Sequence, residues 1–430
     1  MTRLRLVTGE TFASLRIRNF RLFFIGQAVS QTGTWLRMVA QTLLVLHLTG
    51  SGIALGLLAA AQFGPVLLIG PWAGLVADRS DKRKLLLWVQ SLFMAKSFVL
   101  AGFAFMESPP LVAIYVLALA GGVLTAFDNP TRRSFVVEMV PTDKVNNAVS
   151  LNSALMTGSR VVGPALAGLL VVTVGFGWTF VVDGTSYIAV LVGLAMMRSS
   201  ELSPSPVVQR AKGQVRAGLR YVHSVPKLWL PMVMMAVVGT LAFNFQVVVP
   251  LFATRDLGGS DTTFTVLFSV LSFGSLIGAL AVARRTSTTV RRVGMSAIAF
   301  GVSMAMLAVA PTQLVALAIA PLVGVSSIAF MTASTALVQT EAAPEMRGRV
   351  LALQAMVFLG STPVGGPILG WVAEHLGARV GIGVGAVACL GAGAWGVVVA
   401  KSRGVDEPGP GLPAGSVPEP FARPPVAPAV

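Results

Sequence analysis

Uncharged or nearly uncharged stretches of roughly 20 residues recur along the whole chain, and nothing else in the sequence restricts its fold as strongly. Wound as a helix at about 1.5 Å per residue, such a stretch crosses a hydrocarbon core of about 30 Å. Inside lipid only helices and closed barrels satisfy their own backbone groups. Read in windows of about 19 residues, the sequence predicts spans at 20–46, 52–77, 85–106, 110–131, 146–172, 178–197, 228–252, 263–283, 294–310, 313–336, 349–372 and 379–400. The expected fold class is an all-α polytopic membrane protein with twelve transmembrane helices. Composition agrees: the chain is 54% hydrophobic and only 11% charged, about half the charged share of a soluble domain. The first span is too long and too polar on one face for a cleaved signal peptide, and no small-residue cleavage site follows it.

A net charge of +15 would suit a nucleic-acid partner, but its placement argues for none. Counted from an inside N-terminus, nearly all Lys and Arg fall on one side: Arg16 and Arg18, then Arg79, Lys82, Arg83 and Lys84, then Arg132, Arg133 and Lys144. Arg198, Arg210, Lys212, Arg220 and Lys227 continue the pattern, followed by Arg284, Arg285, Arg291, Arg292, Arg347 and Arg349. Arg255 and Arg379 fall on the other side. This is the positive-inside bias, so both termini are expected in the cytoplasm and the protein in the inner (plasma) membrane, multi-pass, with the bilayer as a partner. Cys389 stands alone, and His47, His223 and His375 lie far apart. No metal site, cofactor site or nucleophilic triad is expected, no phosphate-cradling loop precedes a Lys-Ser or Lys-Thr pair, and the chain reads as a non-enzyme.

Residues 198–227 form the longest internal polar stretch and divide six spans from six. The expected organisation is a cytoplasmic segment 1–19, a six-helix bundle 20–197, a cytoplasmic linker 198–227, a second bundle 228–400, and a disordered Pro-rich tail 401–430. The basic, amphipathic second half of the linker is expected along the membrane surface. The bundles echo each other: Glu138, Pro141, Gly163, Pro164 and Leu166 recur as Glu341, Pro344, Gly366, Pro367 and Leu369, and Gly70 and Gly74 as Gly274 and Gly278. Repeated halves imply a pseudo-two-fold axis along the membrane normal and a cavity between them.

Between spans 2 and 3 the segment GLVADRSDKRK packs Arg79, Lys82, Arg83 and Lys84 around Asp78 and Asp81. A charged turn obeying the positive-inside rule would explain it. The pattern of Gly74, Asp78, Arg79 and following basic residues also resembles the signature loop of the major facilitator superfamily, with Asp81 where many members carry a second Gly. VSQTGTWL in helix 1, LTGSGIALG entering helix 2, NPTRRSFVVEMVP after helix 4 and RVVGPALAGLL in helix 5 resemble its branch of drug and siderophore exporters, which includes macrolide-efflux and enterobactin-exporter proteins. The resemblance runs from about residue 18 to residue 400.

That resemblance implies a conformational latch formed by Gly74, Asp78, Arg79 and Arg83 with Arg347 and Arg349, in which Asp78 meets Arg347 or Arg349 when the cavity opens outward. It also implies a helix-5 hinge of antiporter type at Gly163, Pro164 and Gly168, although close helix packing would equally favour small residues there. The function it implies is export of an amphiphilic organic molecule by a monomer, driven by proton antiport. A lipid or lysophospholipid translocator of the same fold is the alternative.

Ionisable residues within spans are few and costly: Arg37, Lys96, Arg160 and Asp183, with Asp128 near the inner end of span 4. Counting residues from the helix starts puts Arg160 and Asp183 at similar depth, so they are expected to touch, with Arg37 as a third member, either as a static pair or as a proton-coupling site. Asp128 is the second coupling candidate and is expected to pair with Arg132 four residues on. Helix 1 carries a polar stripe of Gln27, Ser30, Gln31, Thr34, Arg37 and Gln41. By the family arrangement it faces a substrate cavity together with Thr125, Phe243, Asn244 and Gln246; packing between helices is the other explanation for these amides.

Overall fold

The computed structural model describes residues 12–203, 214–282 and 288–406. Residues 1–11, the linker portion 204–213 with Arg210 and Lys212, Arg284 and Arg285, and the tail from 407 onward lie outside the described residues. The first four helices are α1 (Arg18–Thr49), α2 (Gly52–Arg79), α3 (Lys82–Ala104) and α4 (Leu111–Glu138). Next comes an unbroken run of helix, Val145–Ala195, whose only non-helical residue is Gly175 at φ 80°, ψ 176°. Glycine has no Cβ to forbid that conformation, and the chain reverses there into α5 (145–174) and α6 (176–195). The reversal follows from depth: Gly163 on α5 faces Thr32 and Trp35 of α1, while Asp183 and Ser186 on α6 face Gly33 of α1.

After a short helix, Gln214–Ser224, come α7 (Pro226–Asp256), interrupted at 242–244, α8 (Asp261–Val282), α9 (Val290–Ala308), α10 (Gln313–Glu341), α11 (Pro344–His375) and α12 (Ala378–Ser402). Among the described residues, ten helical segments are long and apolar enough to cross a membrane, and one of them, Thr142–Ala195, contains the α5–α6 pair. Helix α1 has spanning length but is more polar because it carries Gln27, Gln31, Arg37 and Gln41.

Packing repeats between the halves. Helix α2 lies on α4 as α8 lies on α10, and α3 lies on α6 as α9 lies on α12. The halves meet along two seams, α2 against α11 and α5 against α8, which the same two-fold axis exchanges.

Both seams are zipped at one end only. We call the end carrying the α2–α3 loop the basic end and the opposite one the far end. Toward the far end, a Cβ on Gly52 would meet the Gly370 carbonyl at 2.6 Å, and one on Gly56 would meet the Gly366 carbonyl at 2.6 Å. Gly70 lies 18 residues beyond Gly52, five turns at about 3.6 residues each and so on the same face, yet has nothing within 4 Å. Gly348 stands in the same relation to Gly366 and is equally open. In the other seam Gly168 of α5 packs on Thr265 of α8, while Ser150, Ser153 and Arg160, on the same face nearer the basic end, are exposed. The halves therefore diverge toward the basic end and leave a cleft.

The linker helix departs from expectation. Its Tyr221 and Val222 are buried with Val338, Ala342, Met346 and Val350 of α10 and α11, and the Tyr221 hydroxyl accepts the Ala343 N–H at 3.1 Å. The second half covers the apolar side of this helix, so that side has no need of lipid; Leu219 and Arg220 remain exposed.

Candidate functional site

A polar spine runs through the first half. Helix α1 supplies most of it because its polar residues recur at steps of three and four and so share one face. At mid-depth Arg37 Nε lies 3.2 Å from Asp183 Oδ2 on α6, both buried, and Ser97 on α3 donates to the same oxygen at 2.5 Å. Lys96, also on α3, is buried without a hydrogen-bond partner among the described residues, as is Asp183 Oδ1. Its ammonium sits 5.8 Å over the Phe93 ring and within the field of Arg37 and Asp183. One carboxylate therefore has two basic side chains in its field, of which Arg37 pairs with it and Lys96 does not. Toward the far end, Arg37 reaches Gln41, and Gln62 of α2 reaches the same amide oxygen.

Toward the basic end the spine continues. Thr34 and Tyr187 share a hydrogen bond of 3.2 Å, and the Gln31 amide lies beside the Arg132 guanidinium. Arg132 pairs with Asp128 as expected, and Gln90 of α3 donates to the other Asp128 oxygen at 2.7 Å.

The expected contact between Arg160 and Asp183 is not formed. Arg37 takes the carboxylate, and the Arg160 guanidinium lies 4.9 Å over the Trp35 ring, exposed in the cleft. Counting residues gave the depths of the two groups but not their azimuths: Arg160 faces the seam with α8, whereas Asp183 points into its own bundle.

The cavity candidates also divide. Gln27, Gln31 and Asn244 are buried within their halves and do not line the cleft in this conformation. Thr34 and Thr125 are half-buried. Gln246 of α7 reaches across to Met38 of α1. Phe243, at the break in α7, anchors an aromatic group with Phe358 at 5.1 Å and Phe300 at 5.3 Å. The hinge residues pack closely: Gly163 against Trp35 and Gly168 against Thr265. Pro164 sits in unbroken helix.

The charged loop has local duties. Asp81 caps α3 by accepting the Lys84 N–H at 3.1 Å, which gives the residue standing in place of a glycine a structural role. Lys82 and Glu138 form a buried ion pair at 2.6 Å, joining the start of α3 to the end of α4. Arg83 donates to the Leu194 and Ala195 carbonyls at 2.8 Å, satisfying the last turn of α6. Gly74 is buried, Asp78 half-buried, and Arg79 and Arg347 exposed; Arg349 lies against Met346.

The far-end seal was not anticipated from sequence. Glu374 of α11 accepts the Gly52 N–H at 2.5 Å and lies 3.6 Å from Arg255, which donates to the Gly50 carbonyl. His47 meets Asp261 at 2.8 Å. The contacts of Glu374 with Gly52, of Arg255 with Gly50 and of His47 with Asp261 each join one half to the other. The available signal was the scarcity of charge at that end, which left Arg255, Asp261 and Glu374 conspicuous.

Two pseudo-symmetric six-helix halves, sealed at one end and parted at the other around a polar spine, have the architecture of a membrane transporter. The family described as transmembrane secretion effector matches residues 9–408, and the chain belongs to that family, within the major facilitator superfamily. It is 23% identical over 367 residues to the staphyloferrin A transporter of Staphylococcus aureus, covering 83% of this chain and 90% of the relative. Macrolide efflux protein A of Streptococcus pyogenes is 23% identical over 371 residues, with the same coverage. The multidrug efflux pump Tap of Mycolicibacterium fortuitum is 24% identical over 368 residues, covering 83% of this chain and 89% of the relative. Among solved structures, a bacterial homologue of the human lysosomal transporter Spinster, described as inward-facing and unoccupied, superposes with a TM-score of 0.72 at 15% identity, covering 91% of this chain and 98% of that one. A POT family transporter in complex with a thioalcohol-conjugated peptide gives 0.74 at 7% identity, covering 91% and 97%. These two likenesses bear on the fold alone.

Proposed function

We propose that this protein is a secondary active exporter that loads an amphiphilic organic molecule through the cleft at the basic end and releases it at the far end by alternating access, in exchange for protons. The observation that carries the reading is the buried group of Arg37, Asp183, Ser97 and Lys96. Burying charge in lipid is costly unless it is paired or hydrated, and here one carboxylate pairs with Arg37 while a buried lysine beside them has no partner among the described residues. A proton placed on Asp183 cancels the only negative charge in that group, and the interactions joining α1, α3 and α6 must rearrange. A released proton restores them. Asp183 is the coupling carboxylate in this reading, and Asp128, held by Arg132 and Gln90, is a gating group. The names of the relatives, which handle a siderophore, macrolides and several drugs, support a bulky organic cargo.

The positive-inside bias supports a cytoplasmic basic end, with both termini there and the protein in the inner membrane; on that assignment the cleft is open inward. In the opposite state the cleft closes, and Asp78 of α2, beside Arg79, pairs with Arg347 or Arg349 of α11, with Gly74 allowing the contact. The chain acts as a monomer with halves 20–197 and 228–400, moving about seams that Gly163, Pro164 and Gly168 keep narrow. Phe243 and Thr125 meet the cargo. Gln27, Gln31, Thr34, Asn244 and Gln246 shift with the spine.

The test is efflux. Everted vesicles containing the protein, energised so that their lumen is acidic, are given a panel of amphiphilic drugs and siderophores, and an uncoupler is then added. Inward accumulation that stops with the uncoupler is the expected result. Accumulation indifferent to the gradient removes proton coupling, and movement of labelled lysophospholipid alone favours the lipid translocator.

A further inference from the structure

We propose that the cleft selects amphiphilic organic anions, with Arg160 as the cation that binds them; this rests on the transporter reading and assigns its cargo a charge.

The two faces of α5 carry the inference. On one side Val162, Leu166 and Leu169 are exposed, an apolar surface suited to lipid. Arg160, with Ser153 and Thr157, lies about half a turn away from them, on the face that packs against α8 nearer the far end. A mid-membrane arginine is rare unless it faces protein or a water-filled space, so this face belongs to the cleft. Among the described residues Arg160 forms no ion pair. Its guanidinium stacks on Trp35, which stabilises the cation while leaving the planar edge with its N–H donors for a ligand.

The surrounding charge points the same way. Both membrane-embedded carboxylates of this half are engaged, Asp128 by Arg132 and Gln90 and Asp183 by Arg37 and Ser97. The second half has no buried charged side chain among its described residues. Counting the arginines Arg37, Arg132 and Arg160 against Asp128 and Asp183 leaves Arg160 as the guanidinium without a carboxylate. A lipophilic cation entering the cleft meets uncompensated positive charge, whereas an anion with an aromatic or aliphatic body meets a guanidinium beside an indole.

The experiment uses the full chain in phosphatidylcholine nanodiscs and two probes with the same aromatic body, 1-pyrenebutyrate and 1-pyrenemethylammonium. Binding is read by energy transfer from tryptophan, with Trp35→Phe identifying the local signal. The anion is expected to bind about tenfold tighter than the cation, a ratio within reach of one partly solvated charge contact. Arg160→Gln is expected to abolish that preference and Arg160→Lys to retain it. Equal or tighter binding of the ammonium, or an unchanged preference in Arg160→Gln, overturns the proposal. If Arg160→Gln does not fold, the wild-type ratio and its decline in high salt decide. Adding phosphatidylglycerol separates the sources of the anion: displacement of pyrenebutyrate assigns the site to a lipid headgroup, and no displacement to a free organic anion. Pyrenebutyrate that binds but is never carried contradicts the exporter and leaves the selectivity standing.

Discussion

The two halves share a helical plan and divide their chemistry. Every buried charged side chain among the described residues lies in the first half: Arg37, Lys82, Lys96, Asp128, Arg132, Glu138 and Asp183. At comparable positions the second half buries hydroxyls and amides, such as Ser303 with Ser326 at 2.8 Å and Gln354 with Ser334 at 2.9 Å. It also has an aromatic group at the break in α7. In the proposed exchange for protons, the first half holds the titrating group and the second offers an apolar wall.

The largest effect expected from this comparison comes from leaving a buried cation without its partner. Asp183→Ala should destabilise the protein by about 3–5 kcal/mol, measured as a fall in Tm in detergent, whereas Ser303→Ala should cost about 1 kcal/mol. Equal costs would break the division between the halves.

The repeat supplies a sharper pair. Glu138 and its counterpart Glu341 each hold a lysine, but Lys82–Glu138 is buried whereas the Lys227 and Glu341 side chains are 31% and 25% exposed. Glu138→Gln should lower stability by about 3 kcal/mol and Glu341→Gln by less than about 1 kcal/mol. Thermal unfolding of the two variants side by side checks this.

A smaller effect is expected at the far end, where the hydrogen bond that His47 donates to the Asp261 carboxylate raises the His47 pKa above 6.5. The other charged groups of the seal are Arg255 and Glu374. Because the pKa is raised in the sealed state, the contribution is complete below the ordinary value and is lost as pH rises through the elevated one. The seal should loosen at alkaline pH, by less than about 1 kcal/mol for so exposed a pair. Labelling of a cysteine placed at Gly50, normalised to the labelling of the same cysteine in unfolded protein at each pH so that thiol ionisation cancels, should increase with pH in the parent and lose that dependence in His47→Gln.

Helix identity and order were legible in the sequence because apolar length is a one-dimensional signal; 52–77 and 379–400 became Gly52–Arg79 and Ala378–Ser402. The Asp128–Arg132 pair was legible for the same reason, since it lies within one helix. Side-chain partners between helices were not. The depth of Arg160 followed from counting residues, but its azimuth depends on how α5 packs, so Arg37 was given a secondary place at Asp183. The duties of Asp81, Lys82 and Arg83 were hidden because caps and buried pairs at a helix end look, in sequence, like any basic loop. The break in α7 leaves no mark in a hydropathy window.

The most direct test of the account is to measure substrate exchange and proton-driven accumulation in the same proteoliposomes containing Asp183→Asn, which keeps the shape of the side chain and removes its charge. The expected result is that exchange persists while accumulation against a gradient is lost. Accumulation at the level of the parent protein would contradict the claim that Asp183 is the coupling carboxylate.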